Sequence, residues 1–306
     1  MTAALITSLA PAKLNTTVLA IRNLRLQAAI DVQPFRHSGN LYPSIVYVPG
    51  ASPMVSFQTP FLPAYNLIGL GNGALKLTAF EVYFALFTDS ARQAGSVHTK
   101  YALNTTGGNA TGYAYITGFS VDTNGVLMAD VTVALVSYDG MIHPLKRTDN
   151  VALPSLASEP ALHSLGPVDI NGVLLAGLSQ MQVDAGYQTQ LLKTDGDLYP
   201  RNFAIMGADR VLNLTFKDAL TAWNDLTLIG ANISANVVQY LRSYDPTTQV
   251  KLGTGLSLTL ASGRAFQDTL TSENLALNET PVKVIPLSAS ATDPMILATG
   301  VTIPQP

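Results

Sequence analysis

The side chains best suited to catalysis or metal binding in this sequence are four histidines, and their spacing forms no known motif. They are His37, His98, His143 and His163, and no two of them stand four residues apart, as the zinc ligands of an HExxH helix do. Cysteine is absent, which excludes disulfides, cysteine-based zinc sites and thiol nucleophiles. We therefore expect the histidines to lie in exposed loops, and we predict no metal site.

A glycine-rich stretch at residues 69–74 matches the GxGxxA spacing of a dinucleotide-binding loop, with Asp89 downstream. Such a loop needs a strand before it and a helix after it, because the N-terminus of that helix faces the pyrophosphate. Here residues 75–87 have the composition of a strand. The pattern therefore favours an ordinary loop, and we predict no cofactor.

Other catalytic patterns are missing from the sequence. It contains no Gly-x-Ser-x-Gly elbow, no Walker A lysine and no EF-hand loop. Asp139 and Asp149 are on segments typical of turns, and Asp139-Gly140 is explained by turn formation. Tyr42 and Tyr199, each followed by proline, suggest either an aromatic binding cleft or a structural role at a strand entry. Because both occur in the same local sequence, the structural role is favoured, and we predict no catalytic residues and no enzymatic activity.

The composition excludes several further classes of protein. Only 12% of the 306 residues are charged and the net charge is −3, which argues against sequence-specific nucleic-acid binding, since that requires clustered Lys and Arg. A hydrophobic fraction of 47% argues against disorder. The first residues lack the positive region of a signal peptide, and no apolar run approaches 18 residues, so no transmembrane segment is expected.

The sequence repeats itself once. Leu41-Tyr42-Pro43 recurs as Leu198-Tyr199-Pro200, and residues 15–20 and 131–137 resemble residues 171–176 and 282–288 in the same order. Such ordered correspondences indicate a tandem duplication of a domain of about 150 residues. We expect a first domain at residues 1–153, a Pro- and Gly-containing linker at 154–166, and a second domain at 167–306.

Each of the two copies has the pattern of a β-protein. Residues 112–120 and 125–138 are rich in strand-forming residues and flank the turn Asp122-Thr123-Asn124-Gly125, which predicts a hairpin. One helix is expected at residues 218–228, with a shorter, distorted counterpart at 60–68. The predicted fold is all-β: two tandem, internally duplicated β-sandwich or barrel domains of about eight strands, each with one short helix.

Low charge and duplication together favour self-assembly. Interface cores are depleted in charged residues, so a surface poor in charge is expected when subunits cover one another. Two fused similar domains can replace two identical subunits in a ring, so that three chains give pseudo-sixfold symmetry. We therefore expect a homo-oligomer, in the simplest case a trimer that stacks or tiles further.

This layout resembles the structural proteins of bacteriophage virions, and it is most similar to a tail tube protein in duplicated form. The resemblance rests on the segments around the two Leu-Tyr-Pro sequences, the helix predicted at 218–228, and the closing hairpins at 112–138 and 266–288. It implies stacked rings around a lumen for DNA, other virion proteins as partners, and location in the virion after assembly in the host cytoplasm.

Two alternatives remain open. One is a double-barrel major capsid protein of an icosahedral virus, in which two eight-stranded barrels per chain form pseudo-hexameric trimers. The other is a carbohydrate- or surface-binding module, with the tyrosines of the Leu-Tyr-Pro sequences as its site.

Overall fold

The computed structural model confirms that the chain is all-β. It describes residues 10–39, 41–60, 73–85, 98–155, 161–175, 177–194, 196–217, 233–245, 248, 250–267, 279–288 and 295–304. In these residues every regular element is a strand, and every ladder between strands is antiparallel. The helix predicted at 218–228 lies outside the described residues, as does all but the first residue of the helix predicted at 60–68.

The strands divide at residues 152–161 into a first and a second half. Those of the first half are β1 (Ala10–Leu14), β2 (Thr17–Gln27), β3 (Ile30–Phe35), β4 (Ile45–Ala51), β5 (Met54–Thr59), β6 (Leu75–Leu77), β7 (Phe80–Ala85), β8 (His98–Leu103), β9 (Thr111–Asp122), β10 (Met128–Val136) and β11 (Leu145–Val151). Those of the second half are β12 (Leu162–Ile170), β13 (Val173–Leu175), β14 (Leu178–Asp184), β15 (Tyr187–Leu192), β16 (Asn202–Ala208), β17 (Val211–Lys217), β18 (Ile233–Tyr244), β19 (Lys251–Phe266), β20 (Glu279–Pro286) and β21 (Met295–Val301).

Alternation of apolar and polar residues explains why these segments form strands. In β5, Val55 and Phe57 are buried while Ser56 and Gln58 lie half-buried on the other face. In β17, Leu212 and Leu214 are buried in the same way. Successive side chains of a strand point to opposite faces, so one face of each strand packs into the interior. The hairpin predicted around Asp122 is confirmed, because β9 pairs with β10 along most of its length.

The two halves have the same order of strand pairing. The ladders β1–β2, β1–β7, β7–β8 and β8–β11 correspond to β12–β13, β12–β18, β18–β19 and β19–β21. The ladders β2–β5, β5–β10, β9–β10 and β6–β9 correspond to β14–β17, β17–β20, β19–β20 and β18–β19. In β18 and β19, single long strands replace the pairs β6–β7 and β8–β9. In each half the strands joined by these ladders carry buried apolar side chains of the interior.

The halves are joined by one ladder that passes from β9 to β14. It pairs Gln180 with Asp122 and Asp184 with Gly118 at its two ends. The largest sheet therefore contains 17 of the described strands and extends through both halves. The buried apolar residues form one cluster with members from both halves, such as Phe80 and Phe119 in the first and Val237 and Leu258 in the second.

The start of β12 differs from the sequence expectation. β12 begins at Leu162, within the segment 154–166 that was expected to be a linker. Gly166 and Pro167 form a bulge in this strand, where its register against β18 shifts. The Gln239 side chain donates to the Gly166 and Pro167 carbonyl oxygens at 3.2 and 3.3 Å. Residues that look like a chain breaker in the sequence therefore belong to the ladder.

None of the described residues belongs to a helix of the length and hydrophobicity needed to cross a membrane.

Candidate functional site

The four histidines lie apart in the structure. His37 is exposed beside Ser44, and His143 is exposed in the turn after β10. His98 and His163 are buried in β8 and β12, so the prediction of exposed loops is wrong for these two. His98 lies beside the equally buried Thr99 at the start of β8, and His163 lies between half-buried neighbours near the start of β12. No group of three His, Asp or Glu side chains in the described residues is arranged to hold a metal ion.

The glycine-rich stretch leads into a strand. Gly73 has a φ of +76°, and β6 begins at Leu75. Residues 75–87 were expected to form a strand, and their described part forms two, β6 and β7, so the motif leads into β-structure and not into a helix N-terminus that could bind a pyrophosphate. Gly69–Asn72 and Asp89 lie outside the described residues.

The acidic residues considered in the sequence hold turns and strands together. The Asp139 carboxylate accepts hydrogen bonds from the Met141 and Ile142 amides, both at 2.9 Å. These bonds lower the pKa of Asp139. The Asp149 carboxylate accepts from Arg147 and Thr99, and the bond from Arg147 is the main reason that its pKa is lowered. Each carboxylate is engaged locally, and among the described residues neither is paired with a second carboxylate for acid–base work.

A groove of about 570 Å³ runs over strands β2, β5, β9 and β10. Three of its polar side chains are linked by hydrogen bonds: Asn23 donates to Gln58 at 2.6 Å, and Gln58 donates to Asp130 at 2.7 Å. Asp130 is the single carboxylate in its lining. This arrangement orients the three side chains on a sheet surface and provides no acid–base pair.

The two Leu-Tyr-Pro sequences occupy the tips of two long hairpins. Hairpin 1 consists of β3, β4 and a tip whose described residues are 36–39 and 41–44; hairpin 2 consists of β15, β16 and a tip whose described residues are 193–194 and 196–201. Their registers match, since Phe35 pairs with Ile45 in hairpin 1 and Leu192 pairs with Asn202 in hairpin 2. The two tips have very different surroundings.

The tip of hairpin 2 is docked on the first half of the chain. Tyr199 N–H donates to the Gly140 carbonyl, and the carbonyls of Leu198 and Pro200 accept from Ala51 and Ser137, all at 2.8 Å. The Tyr199 ring packs edge-on against His143, with ring centroids 5.2 Å apart. These backbone bonds lock the tip into the turn that follows β10.

Asp197 stabilises the shape of this docked tip. Its carboxylate accepts from Arg201 at 2.8 Å and from the Thr194 amide at 3.2 Å. Burial raises the pKa of Asp197, but the Arg201 and Thr194 bonds outweigh it, and the net pKa is lowered. Gly140 lies directly against this carboxylate, and a Cβ atom at position 140 would overlap it.

The body of hairpin 2 packs on aromatic side chains of β9. Phe203 stacks on Tyr113 and Tyr115, with ring centroids 5.0 and 5.6 Å apart. Tyr187 meets Tyr115 edge-to-face at 5.9 Å, and the Arg210 guanidinium lies over the Tyr187 ring. Stacked and edge-on pairs of this kind add to the stabilisation from buried area. Hairpin 2 is therefore held at its tip and along its length.

Hairpin 1 is exposed over most of its length. Tyr42 at its tip is 76% exposed, so of the two tyrosines only Tyr199 shows the packing contacts expected of a structural residue. Nine large apolar side chains of this hairpin are exposed: Ile30, Val32, Phe35, Leu41, Tyr42, Ile45, Val46, Tyr47 and Val48. Exposed apolar side chains of this number on one hairpin contrast with the single exposed apolar residues that are ordinary on a protein surface.

No protein-family model matches the sequence, and no curated protein matches it significantly.

Proposed function

We propose that this chain is a non-enzymatic, internally duplicated structural protein that assembles with copies of itself. The observation that carries this function is the contrast between the two hairpins. Hairpin 2 packs within the chain through its tip and its aromatic contacts and exposes two large apolar side chains, Leu192 and Met206, whereas hairpin 1 exposes nine. Leaving such a surface in water is unfavourable by about 25 cal/mol per Å² of apolar area, so a partner that covers it stabilises the exposed hairpin.

The matched ladders support a duplication of one domain. Each ladder of the first half has a counterpart in the second, with the same order of neighbours. In this proposal the halves are two versions of one β-domain, each with a protruding hairpin, and the ladder between β9 and β14 is the contact between neighbouring versions. The helices expected in each domain belong to the same proposal.

A contact between two similar domains within the chain can be repeated between chains. Because the surfaces that meet are different, the contact is head-to-tail, and such contacts generate closed rings or open helical arrays. Three chains would place six similar halves around one axis. The low charge of 12% fits a protein whose surface is largely covered by its own copies.

Among ring-forming proteins, the tail tube of a tailed bacteriophage fits these features best. In this proposal the trimeric rings stack into a tube, other virion proteins cap its ends, and the protein functions in the virion after assembly in the host cytoplasm. The net charge of −3 agrees with a lumen that does not hold DNA tightly.

Negative-stain electron microscopy of the purified protein tests this function. Rings of pseudo-sixfold outline, or tubes built from them, are expected. Closed icosahedral shells or flat hexagonal sheets would instead support the double-barrel capsid protein. A monomeric protein at micromolar concentration that binds glycans would overturn both assembly proposals and favour the carbohydrate-binding module.

A further inference from the structure

The surface that receives hairpin 2 on the first half has a bare counterpart on the second half. The ladders place Ala208 in the position of Ala51, and Leu287 in the position of Val136. Ala51 is 7% and Val136 is 4% exposed, because hairpin 2 covers this region. In contrast, Ala208 is exposed and Leu287 is 46% exposed. We call the four residues Ala208, Arg264, Phe266 and Leu287 the open face.

The aromatic part of this surface shows the same contrast. By the register of β9 and β19 against their neighbours, Arg264 and Phe266 take the positions of Tyr113 and Tyr115. Tyr115 is 6% exposed beneath Phe203, whereas Phe266 is half-buried and Arg264 is exposed. The second half therefore presents an apolar surface, with one cation at its edge, at the place where the first half binds a hairpin.

Hairpin 1 offers the complementary set of side chains. In its matching register, Leu41, Tyr42 and Val46 take the positions of Leu198, Tyr199 and Phe203. All three are exposed large hydrophobic side chains. The exposed hairpin and the open face thus correspond, residue by residue, to the two partners of a contact already present within the chain.

We propose that hairpin 1 of one copy docks on the open face of a second copy, in the register that hairpin 2 uses within the chain. In this contact the Leu41 carbonyl accepts from the Ala208 amide of the neighbour, and Val46 packs on Phe266 and Arg264. We take the docked partner to be a second copy of this chain, because the chain itself carries both hairpin 1 and the open face. The inference rests on the proposed self-assembly and specifies its interface.

The edge of β2 supports the same arrangement. β14 pairs with β17 on one edge and with β9 on the other. Its counterpart, the second part of β2, pairs with β5, and the other edge of residues 23–27 has no strand against it among the described residues. An open strand edge is a template for pairing with another chain. When hairpin 1 of one copy docks on a neighbour, the neighbour's β19 would approach the free edge of β2, in the way that β9 lies beside β14 within the chain.

Site-directed crosslinking tests the interface cleanly, because the chain has no native cysteine. The double variant Leu41→Cys/Ala208→Cys is treated with a short bismaleimide. We expect covalent dimers and trimers, since the two thiols meet between chains. Both positions are exposed, so far-UV circular dichroism should match that of the unmodified chain.

Two further pairs serve as controls. Ala51→Cys/Leu198→Cys should crosslink within one chain and leave its mass class unchanged, because the Ala51 amide donates to the Leu198 carbonyl at 2.8 Å. Leu41→Cys/Ile296→Cys joins the same tip to an exposed apolar residue outside the open face and should give no ladder of oligomers.

The outcomes separate this inference from the proposed function. If native mass spectrometry shows an oligomer but Leu41→Cys/Ala208→Cys does not crosslink between chains, the proposed interface is wrong and the proposed self-assembly still holds. A monomer in native mass measurements would overturn both. A second variant, Tyr42→Asp, should keep the fold and lower the oligomer fraction at least tenfold, and an unchanged oligomer would contradict the docking of this tip.

Discussion

Asn15 and Asn171 make the same hydrogen bonds at matching turns of the two halves. Each has a left-handed backbone, with φ of 53° and 56°. The Asn15 amide donates to the Ala79 carbonyl at 2.7 Å, and its Oδ1 accepts from the Ala79 amide at 3.2 Å. The Asn171 amide donates to the Asn236 carbonyl at 2.9 Å, and its Oδ1 accepts from the Asn236 amide at 2.8 Å. Asn15 thus joins its hairpin turn to the residue that precedes β7, and Asn171 joins its turn to β18.

Replacing either asparagine by alanine should destabilise the fold by a similar amount. Asn15→Ala and Asn171→Ala each remove the Oδ1 acceptor. The residue at that position then keeps its left-handed backbone without the side-chain hydrogen bond that offsets the strain. Together these effects cost about 2–4 kcal/mol. Urea unfolding followed by circular dichroism measures the change. Asn124→Ala, in an exposed turn, serves as the control and should stay within about 0.5 kcal/mol. A loss at only one of the two asparagines would contradict their equivalence.

Gly140→Ala should release the tip of hairpin 2. Gly140 and Gly196 both have a φ of +75°, but a Cβ at Gly140 would overlap the Asp197 carboxylate, whereas a Cβ at Gly196 meets nothing within 4 Å. Gly196→Ala therefore reports backbone strain alone, about 1–2 kcal/mol. Gly140→Ala adds steric overlap, about 1–3 kcal/mol more. Hydrogen exchange at the Tyr199 amide, which donates to Gly140, should accelerate only in Gly140→Ala. Equal exchange rates of the Tyr199 amide in both variants would show that the contact with Gly140 does not hold the tip of hairpin 2.

Phe203→Ala and Val46→Ala form a matched pair that separates folding from assembly. Phe203 stacks on Tyr113 and Tyr115 within the chain, so its truncation should lower the free energy of unfolding by about 2–4 kcal/mol. Val46 takes the same position in hairpin 1 and is exposed, so Val46→Ala should leave the stability of the isolated chain within about 0.5 kcal/mol. Sedimentation velocity should show weaker association for Val46→Ala. A large loss of monomer stability in Val46→Ala would mean that hairpin 1 packs within its own chain.

The stability should depend on the protonation of His163. Its Nδ1 lies 3.0 Å from the Ser243 hydroxyl, and burial lowers the pKa of the imidazole below its ordinary 6.5. Below that pH the unfolded chain binds a proton that the folded chain does not, so the free energy of unfolding falls as the pH drops from about 7.5 to 5.5. His163→Gln should flatten this slope. The exposed control His37→Gln should keep it, and an unchanged slope in His163→Gln would assign the pH dependence to another group.

The β-character could be predicted from the sequence because it depends on local patterns. The alternation in β5 and β17 and the turn at Asp122 are each decided within a few residues. The parallel drawn between residues 131–137 and 282–288 agrees with the register, since Val131 pairs with Phe57 as Val282 pairs with Leu214. The burial of His98 and His163 could not be predicted from local patterns, because it depends on which strands pair with β8 and β12.

The docking of hairpin 2 could not be predicted from the sequence. It depends on backbone bonds between Ala51 and Leu198 and between Gly140 and Tyr199, and main-chain groups leave no signature in side-chain patterns. The sequence of hairpin 1 does contain a pattern that bears on its surface. The run Ile45-Val46-Tyr47-Val48 has apolar residues on both faces of a strand, which is typical of a strand covered on both sides. In this chain that second cover comes, in our proposal, from another copy.

The mass of the native particle tests the central claim of self-assembly most directly. Native mass spectrometry of the full chain at micromolar concentration should show three chains of 32.4 kDa, or a multiple of three, in a closed ring. The species should dissociate when Leu41 and Tyr42 are both replaced by aspartate, with no change in circular dichroism. A single 32.4 kDa species over the whole concentration range would contradict the account.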